Sequence, residues 1–259
     1  MSLVQVIILS IIQGLTEFLP VSSSGHLVLS QKIFEINEPL VLFDILLHLG
    51  TLFAIFIFFY KDLFSLVVDW KKKKNVWLFL IVGSIPAAVT GFFLNSKIDK
   101  IFNSLPLLGG SWIFFGLLLL FFFRFKLNKN DLKRKESEAT PVDGLVVGSF
   151  QALALLPGIS RSGSTIIGGL SRKFSRETAF YLSFLLSIPA ILGAVALKMK
   201  DSHLDGINIY EGLLAVLFSA IVGYFSLKIL QKFLKSDKFY LFGFYCLVLG
   251  ILVVLATIR

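Results

Sequence analysis

The sequence predicts a polytopic α-helical membrane protein with an internal inverted repeat, and three features predict it. The chain is 56% hydrophobic, with a mean hydropathy of +0.85 and 28 Phe among 259 residues. A soluble domain of this length carries more charge and fewer large apolar residues. The apolar runs are continuous rather than alternating, which speaks for helices and against a transmembrane β-barrel. The basic residues sit in short segments between those runs. That pattern orients a membrane protein, so the formal net charge of +9 does not point to nucleic acid. No separate soluble domain is visible.

The elements follow in order. Residues 3–19 are apolar, but Pro20 and a run of serines stop them. The return piece, about 24–34, offers only ~16 Å of helix against a ~30 Å hydrocarbon core, so the pair predicts a re-entrant hairpin. Full spans are expected at about 40–60, 75–94 and 105–126. A basic loop over 127–142 leads to a second short pair, 143–156 and 162–172, broken at Pro157-Gly158. Further spans are expected at 176–198, 209–232 and 238–258, which makes six spans and two hairpins. The start of the chain has no positively charged region and no small-residue cleavage site, so it does not read as a removed signal peptide.

The two breaks match each other. The first reads Q-G-L-T-E-F-L-P-V-S-S-S-G from Gln13, and the second Q-A-L-A-L-L-P-G-I-S-R-S-G from Gln151. Both run twelve positions from Gln to the last Gly, with the Pro displaced by one. Each half then holds one hairpin and three spans. An odd number of crossings inverts the second half, about 143–259, relative to the first, about 1–126. If the loop with Lys71–Lys74 is cytoplasmic, eighteen Lys and Arg lie on that side. Six lie outside (Lys32, Lys97, Lys100, Lys198, Lys200, Arg259), and Arg161 is left in the core. This bias follows the positive-inside rule. It puts both termini outside, has the first hairpin dip in from the outer face and the second rise from the cytoplasm, and brings their tips together near the midplane.

The chemistry is at those tips. Gln13 and Glu17 are four apart and share a helix face. Ser22, Ser23 and Ser24 form the turn and can cap the next helix, and His26 falls in that helix's first turn. At the second tip, Ser160-Arg161-Ser162-Gly163 again enters a helix. Free N–H groups and the dipole at two helix starts, with the fork of Arg161 and several hydroxyls, describe a phosphate or pyrophosphate cradle. Gly25 and Gly163, beside the helix starts, join Gln13, Ser22, Ser24, Ser160 and Ser162 as substrate-binding candidates. Glu17 has no place in an anion site unless a cation bridges it. Magnesium, or another hard divalent ion such as calcium, does so with one or two carboxylates and phosphate oxygens, and the Gln13 carbonyl is a second candidate ligand. His26 is the motif's only base titrating near neutral pH. Covalent transfer through Ser22, Ser23 or Ser24, attack by His26 itself, and attack by an activated water all remain compatible with these residues.

Q-G-L-T-E-F-L-P-V-S-S-S-G-H and P-G-I-S-R-S-G-S-T together resemble the two signatures of the undecaprenyl-diphosphate phosphatase family of the bacitracin-resistance type. Length and segment pattern agree over essentially the whole chain. The resemblance implies removal of the terminal phosphate of undecaprenyl diphosphate at the outer face of the bacterial plasma membrane. That recycles the lipid carrier for cell-wall polymers and depends on a divalent metal. It places the functional positions on Gln13, Glu17, Ser23, His26 and Arg161, with Ser22, Ser24, Ser160 and Ser162 around them. Gln13 stands where many members carry Glu, which leaves Glu17 as the motif's sole acid.

Two function classes fit an inverted repeat with opposed hairpins: a membrane phosphatase acting on a polyprenyl diphosphate lipid, and a polyprenyl-phosphate flippase or anion transporter. Glu17 and His26 favour the enzyme, because a transporter needs no general base. A homodimer is compatible with either. Elsewhere the expectations are plainer. Gly168, Gly169 and Gly193 are read as packing residues. Asp44 and His48 form a pair behind the site or a structural hydrogen bond. Glu177 is a first-turn acid, and Tyr60, Trp70 and Trp77 are interfacial anchors. His203 is read as a solvated loop residue, and Cys246 as an unpaired apolar filler.

Overall fold

A computed structural model describes residues 1–36, 40–102, 104–126, 129–201 and 208–257, with side chains left out at 94–102, 125, 126, 129 and 198–201. The basic side chains at 97, 100, 126, 129, 198, 200 and 259, and His203, therefore lie outside the described residues. The described residues form eleven α-helices: α1 Leu3–Phe18, α2 Ser23–Ile33, α3 Val41–Phe58, α4 Tyr60–Val68, α5 Lys74–Phe102, α6 Leu105–Phe121, α7 Pro141–Leu153, α8 Arg161–Ser171, α9 Arg176–Asp201, α10 Ile209–Lys235 and α11 Leu241–Thr257. Among the described residues there is no strand.

Local chemistry fixes the hairpins. Ser2 and Gln5 close a capping box that starts α1. Pro20 then holds Leu19 extended (ψ 145°) and ends the helix. Thr140 and Asp143 form the same box at the start of α7, with Pro141 at the first helical position. The second break turns through Gly158, whose φ of +89° suits glycine.

Among the described residues, five helices are long and apolar enough to cross a membrane: Val41–Phe58, Lys74–Phe93, Leu105–Arg124, Arg176–Leu197 and Ile209–Lys235. The chain is thus a multi-pass membrane protein. The span expected at 238–258 is α11, with 17 residues, about 25 Å long. It is shorter than the sequence suggests because residues 238–240 form a turn ahead of it, with Leu241 N–H bonded to the Lys238 carbonyl and Phe242 N–H to that of Phe239. Part of the expected loop at 61–74 is also helical, as α4. Its Lys61, Asp62 and Ser65 lie among apolar residues, and Phe64, Val67 and Val68 are exposed.

The long contacts run in crossed pairs. α1 packs on α10 and α7 on α5, while α3 meets α9 and α6 meets α11. Small residues allow these approaches. A Cβ on Gly109 would come within 2.9 Å of the Gly250 carbonyl, and one on Gly116 within 2.7 Å of the Gly243 carbonyl. Gly168 and Gly169 likewise pack against Val147, Phe150 and Ala179, but Gly193 faces open space. The loops with basic residues meet at one end of the bundle. Asn75 donates to the Ser137 carbonyl at 2.6 Å, Arg134 to the Arg172 carbonyl at 2.9 Å, and Arg176 pairs with Asp237. Lys235 pairs with Glu177 at 2.8 Å.

Candidate active site

The two hairpin tips touch. Ser22 Oγ accepts the Gly158 N–H at 3.1 Å, and Ser162 Oγ donates to the Leu19 carbonyl at 3.4 Å. α6 forms the wall behind them. A Cβ on Gly25 would lie 2.7 Å from the Trp112 ring, and one on Gly163 2.6 Å from the Phe115 ring. At these two positions a bare backbone lets tip and wall close together. Trp112 Nε1 also donates to the Val21 carbonyl at 2.9 Å, and Cys246 is buried with its thiol 3.6 Å from the Pro20 carbonyl.

Glu17 is the hub. It is buried in the last turn of α1, and the i, i+4 spacing brings Gln13 Nε2 to its Oε2 at 3.1 Å. Ser23 Oγ donates to the same oxygen at 2.6 Å, and Arg161 Nη2 donates to Oε1 at 2.5 Å. His48, whose Nδ1 donates to the Asp44 main-chain carbonyl at 2.7 Å, brings its Nε2 to 3.8 Å from Glu17 Oε2. The Asp44 carboxylate accepts from Gln31 at 3.3 Å. The pair expected at Asp44 and His48 is therefore joined through the backbone, and His48 faces the site.

Two buried polar atoms here have no partner: Gln13 Oε1 and Arg161 Nη1. Buried groups of this kind are nearly always satisfied, so an acceptor and a donor are left for a ligand. The helix starts differ as well. Ser160 caps α8 by accepting the Gly163 N–H at 3.3 Å, with Ser162 Oγ 3.0 Å away. Ser22 gives α2 no side-chain cap. Its φ of +69° turns its hydroxyl to the second tip, with Ser24 Oγ 3.3 Å away. Of the two helix starts in the expected cradle, that of α8 has one orphan N–H taken by its cap, whereas at α2 no side-chain cap takes any, so the α2 start leaves more for an anion. The second tip contributes Arg161 instead.

Among the described residues no hydrogen bond joins His26 to Ser23. Its Nδ1 faces the Ser22 carbonyl at 2.8 Å, and a carbonyl only accepts, so Nδ1 carries the proton. Its Nε2 meets the hydroxyl of Tyr245 on α11 at 2.7 Å. The imidazole stacks on the Tyr245 ring and stands edge-on to Trp112. Sequence reasoning missed Tyr245, because a tyrosine near the start of an apolar run looks like an interfacial anchor. The one available signal was its place in a helix with few other polar residues.

A divalent cation would find limited protein ligation here. Among the described residues no group of three His, Cys, Asp or Glu could hold a metal. One carboxylate and the free Gln13 carbonyl oxygen do fit a hard cation that takes its remaining ligands from phosphate oxygens and water.

This geometry defines a class: a multi-pass membrane protein with a buried polar site between two short helix hairpins. Comparison with known proteins makes the class specific. The family profile of the bacitracin resistance protein BacA matches residues 6–252, and the chain belongs to that family. A protein of Carboxydothermus hydrogenoformans called undecaprenyl-diphosphatase is 41% identical over 256 residues, covering 95% of this chain and 94% of its own. Proteins of the same name from Desulforapulum autotrophicum (41% identical, 99% of both chains) and Halothermothrix orenii (37%, 98% of both) match end to end.

Proposed function

We propose that this protein hydrolyses undecaprenyl diphosphate to undecaprenyl phosphate and inorganic phosphate, recycling the lipid carrier for cell-wall synthesis. The observation that carries this reading is the meeting of Ser23, Glu17 and Arg161 from two hairpins 138 positions apart, with Arg161 Nη1 and Gln13 Oε1 still free. The names of the full-length relatives support it. The two halves, about 1–126 and 143–259, form an inverted repeat. The reciprocal packing of α1 on α10 and α7 on α5 supports this, as do the capping boxes 138 residues apart.

The chain's own groups divide the work. The N–H groups at the start of α2 and the guanidinium of Arg161 hold the terminal phosphate. Ser23 Oγ attacks its phosphorus and passes its proton to Glu17 Oε2. The bond from phosphorus to the bridging oxygen breaks, and the lipid monophosphate leaves with the electron pair. Water then attacks the phosphoserine and loses its proton to His26 Nε2, the bond from phosphorus to Ser23 Oγ breaks, Glu17 returns its proton to Ser23, and inorganic phosphate departs. Glu17 and Gln13 would hold a magnesium or calcium ion, which when bound offsets the charge of the diphosphate. Purified protein in detergent should release phosphate from undecaprenyl diphosphate with magnesium, and mass spectrometry of quenched enzyme should find phosphate on Ser23. Phosphate on another residue, or on none, would replace Ser23 as nucleophile.

Because the protein supplies few ligands, the cation is held weakly without substrate. A chelator should abolish turnover, and excess magnesium or calcium should restore it without any change in thermal stability. Full activity in chelator would remove the metal.

The site opens to the outer face, which the gathering of the basic loops at one end of the bundle supports. A membrane-impermeant thiol probe should label Lys72→Cys only from the cytoplasmic side. The native Cys246 is buried and will not interfere. Labelling from outside in intact cells would invert the topology.

A further inference from the structure

We propose that Tyr245 is a positioning residue for the reaction, holding His26 in the one tautomer and orientation in which Nε2 can serve as the base. The inference rests on the proposed role of His26. Two hydrogen bonds define the ring from opposite sides. The Ser22 carbonyl fixes the proton on Nδ1, so a neutral ring presents its one lone pair at Nε2; in the resting site the Tyr245 hydroxyl donates to it at 2.7 Å, and it turns aside to free that lone pair when water is deprotonated.

Packing leaves the tyrosine little else to do with its hydroxyl. A tyrosine acting as an interfacial anchor turns its hydroxyl outward to water and headgroups. Here the hydroxyl turns inward. The exposed part of the ring lies with Phe244, Val248, Leu249 and Leu252 along an apolar groove that offers no polar partner. In that setting a hydroxyl without a partner is costly, so the bond to His26 constrains both groups. The rings stack with planes 10° apart, and Trp112 closes another side at 71°, so the imidazole cannot turn without disturbing both aromatics. The arrangement parallels the way a ligating or catalytic histidine is oriented by whatever bonds its second nitrogen. The bond also favours the neutral ring. A donor aimed at Nε2 must turn away, or accept instead, when that nitrogen gains a proton.

The groups facing His26 are few. From α11 there is Tyr245, from α6 the Trp112 indole, and from the turn the Ser22 carbonyl. Glu17 and Arg161 bond each other rather than the ring. Tyr245→Phe keeps the stack and removes only the hydroxyl. It should lower kcat about five- to tenfold, the worth of one hydrogen bond, with KM little changed. The acid limb of kcat/KM should move to higher pH by roughly half to one unit, because the neutral imidazole has lost its donor. Tyr245→Leu, which also removes the stack, should be slower still, with detergent melting curves as the check on folding. The His26→Ala protein is measured in parallel. If it is inactive while Tyr245→Phe keeps the wild-type kcat and acid limb, the positioning role is overturned and the reading of His26 stands. If His26→Ala turns over normally, both are overturned.

Discussion

Replacing Glu17 by Gln should lower kcat by roughly a hundredfold to ten-thousandfold, the range of a lost general base. The substitution keeps the size of the side chain but removes the acceptor that Ser23 Oγ reaches at 2.6 Å and the charge that Arg161 meets at 2.5 Å. KM should not rise, because Arg161 is freed from Glu17 to hold the phosphate more tightly. Arg161→Lys should lose about a hundredfold to a thousandfold in kcat/KM, since an ammonium cannot reproduce the fork at the developing charge. In the double variant the losses should fall well short of their product, because the two side chains touch and act as one unit. Steady-state kinetics on folded, purified variants checks all three. Near-wild-type turnover in Glu17→Gln would remove Glu17 from the chemistry.

How much of this site was legible in the sequence depended on the range of each contact. The shared face of Gln13 and Glu17 follows from helix spacing alone, and the bond between them is present. Arg161 was found because the second break repeats the first, which brings its tip to the first; its bond to Glu17 was not among the expectations. The repeat did not reveal the hand of the turn. Ser22 sits at φ +69°, which sends its own hydroxyl to Gly158 and leaves Ser23 to face Glu17, and three adjacent serines give no sign of that. Pairing Ser with His was the natural reading of the motif, yet His26 belongs to a different contact, with a tyrosine 219 positions away that no periodicity connects to it. His48 was visible as a polar residue in a span, but its distance to Glu17 depends on how α3 packs beside α1. The same limit applies to the fold. Hydropathy located each apolar segment, but tertiary contacts decided where α11 begins and that residues 60–68 are helical.

The largest stability effect is expected away from the chemistry, at Asp143. Its carboxylate is fully buried at the loop end of α7 and takes five hydrogen bonds. Arg134 Nη1 and Arg172 Nε reach Oδ1 at 3.1 and 2.6 Å, while Arg134 Nη2, Thr140 N and Thr140 Oγ1 reach Oδ2 at 2.8, 2.9 and 2.8 Å. Arg134 continues to the carbonyls of Arg172 and Glu138 and lies over the Phe174 ring, so this one acid ties the basic loop, α7 and the end of α8 together. Asp143→Ala leaves two guanidinium groups facing an empty pocket. It should cost about 3–5 kcal/mol, or roughly 10 °C in Tm. The pH dependence has a definite sign. Burial alone would raise the carboxyl's pKa, but the bonds from Arg134, Arg172 and Thr140 outweigh it and hold the group well below the usual carboxylate range. Its contribution is therefore complete above about pH 5, where the unfolded carboxyl is also ionised, declines as pH falls below that, and is fully lost only below the folded group's own, much lower pKa. Melting in detergent from pH 7 to 3 should show the wild-type protein's advantage over Asp143→Ala narrowing at the acid end. Equal Tm values for the two proteins at pH 7 would show that the cluster contributes nothing to the fold. Turnover per folded molecule of the variant at low temperature should stay close to wild type, which separates this structural anchor from the site that Arg161 serves.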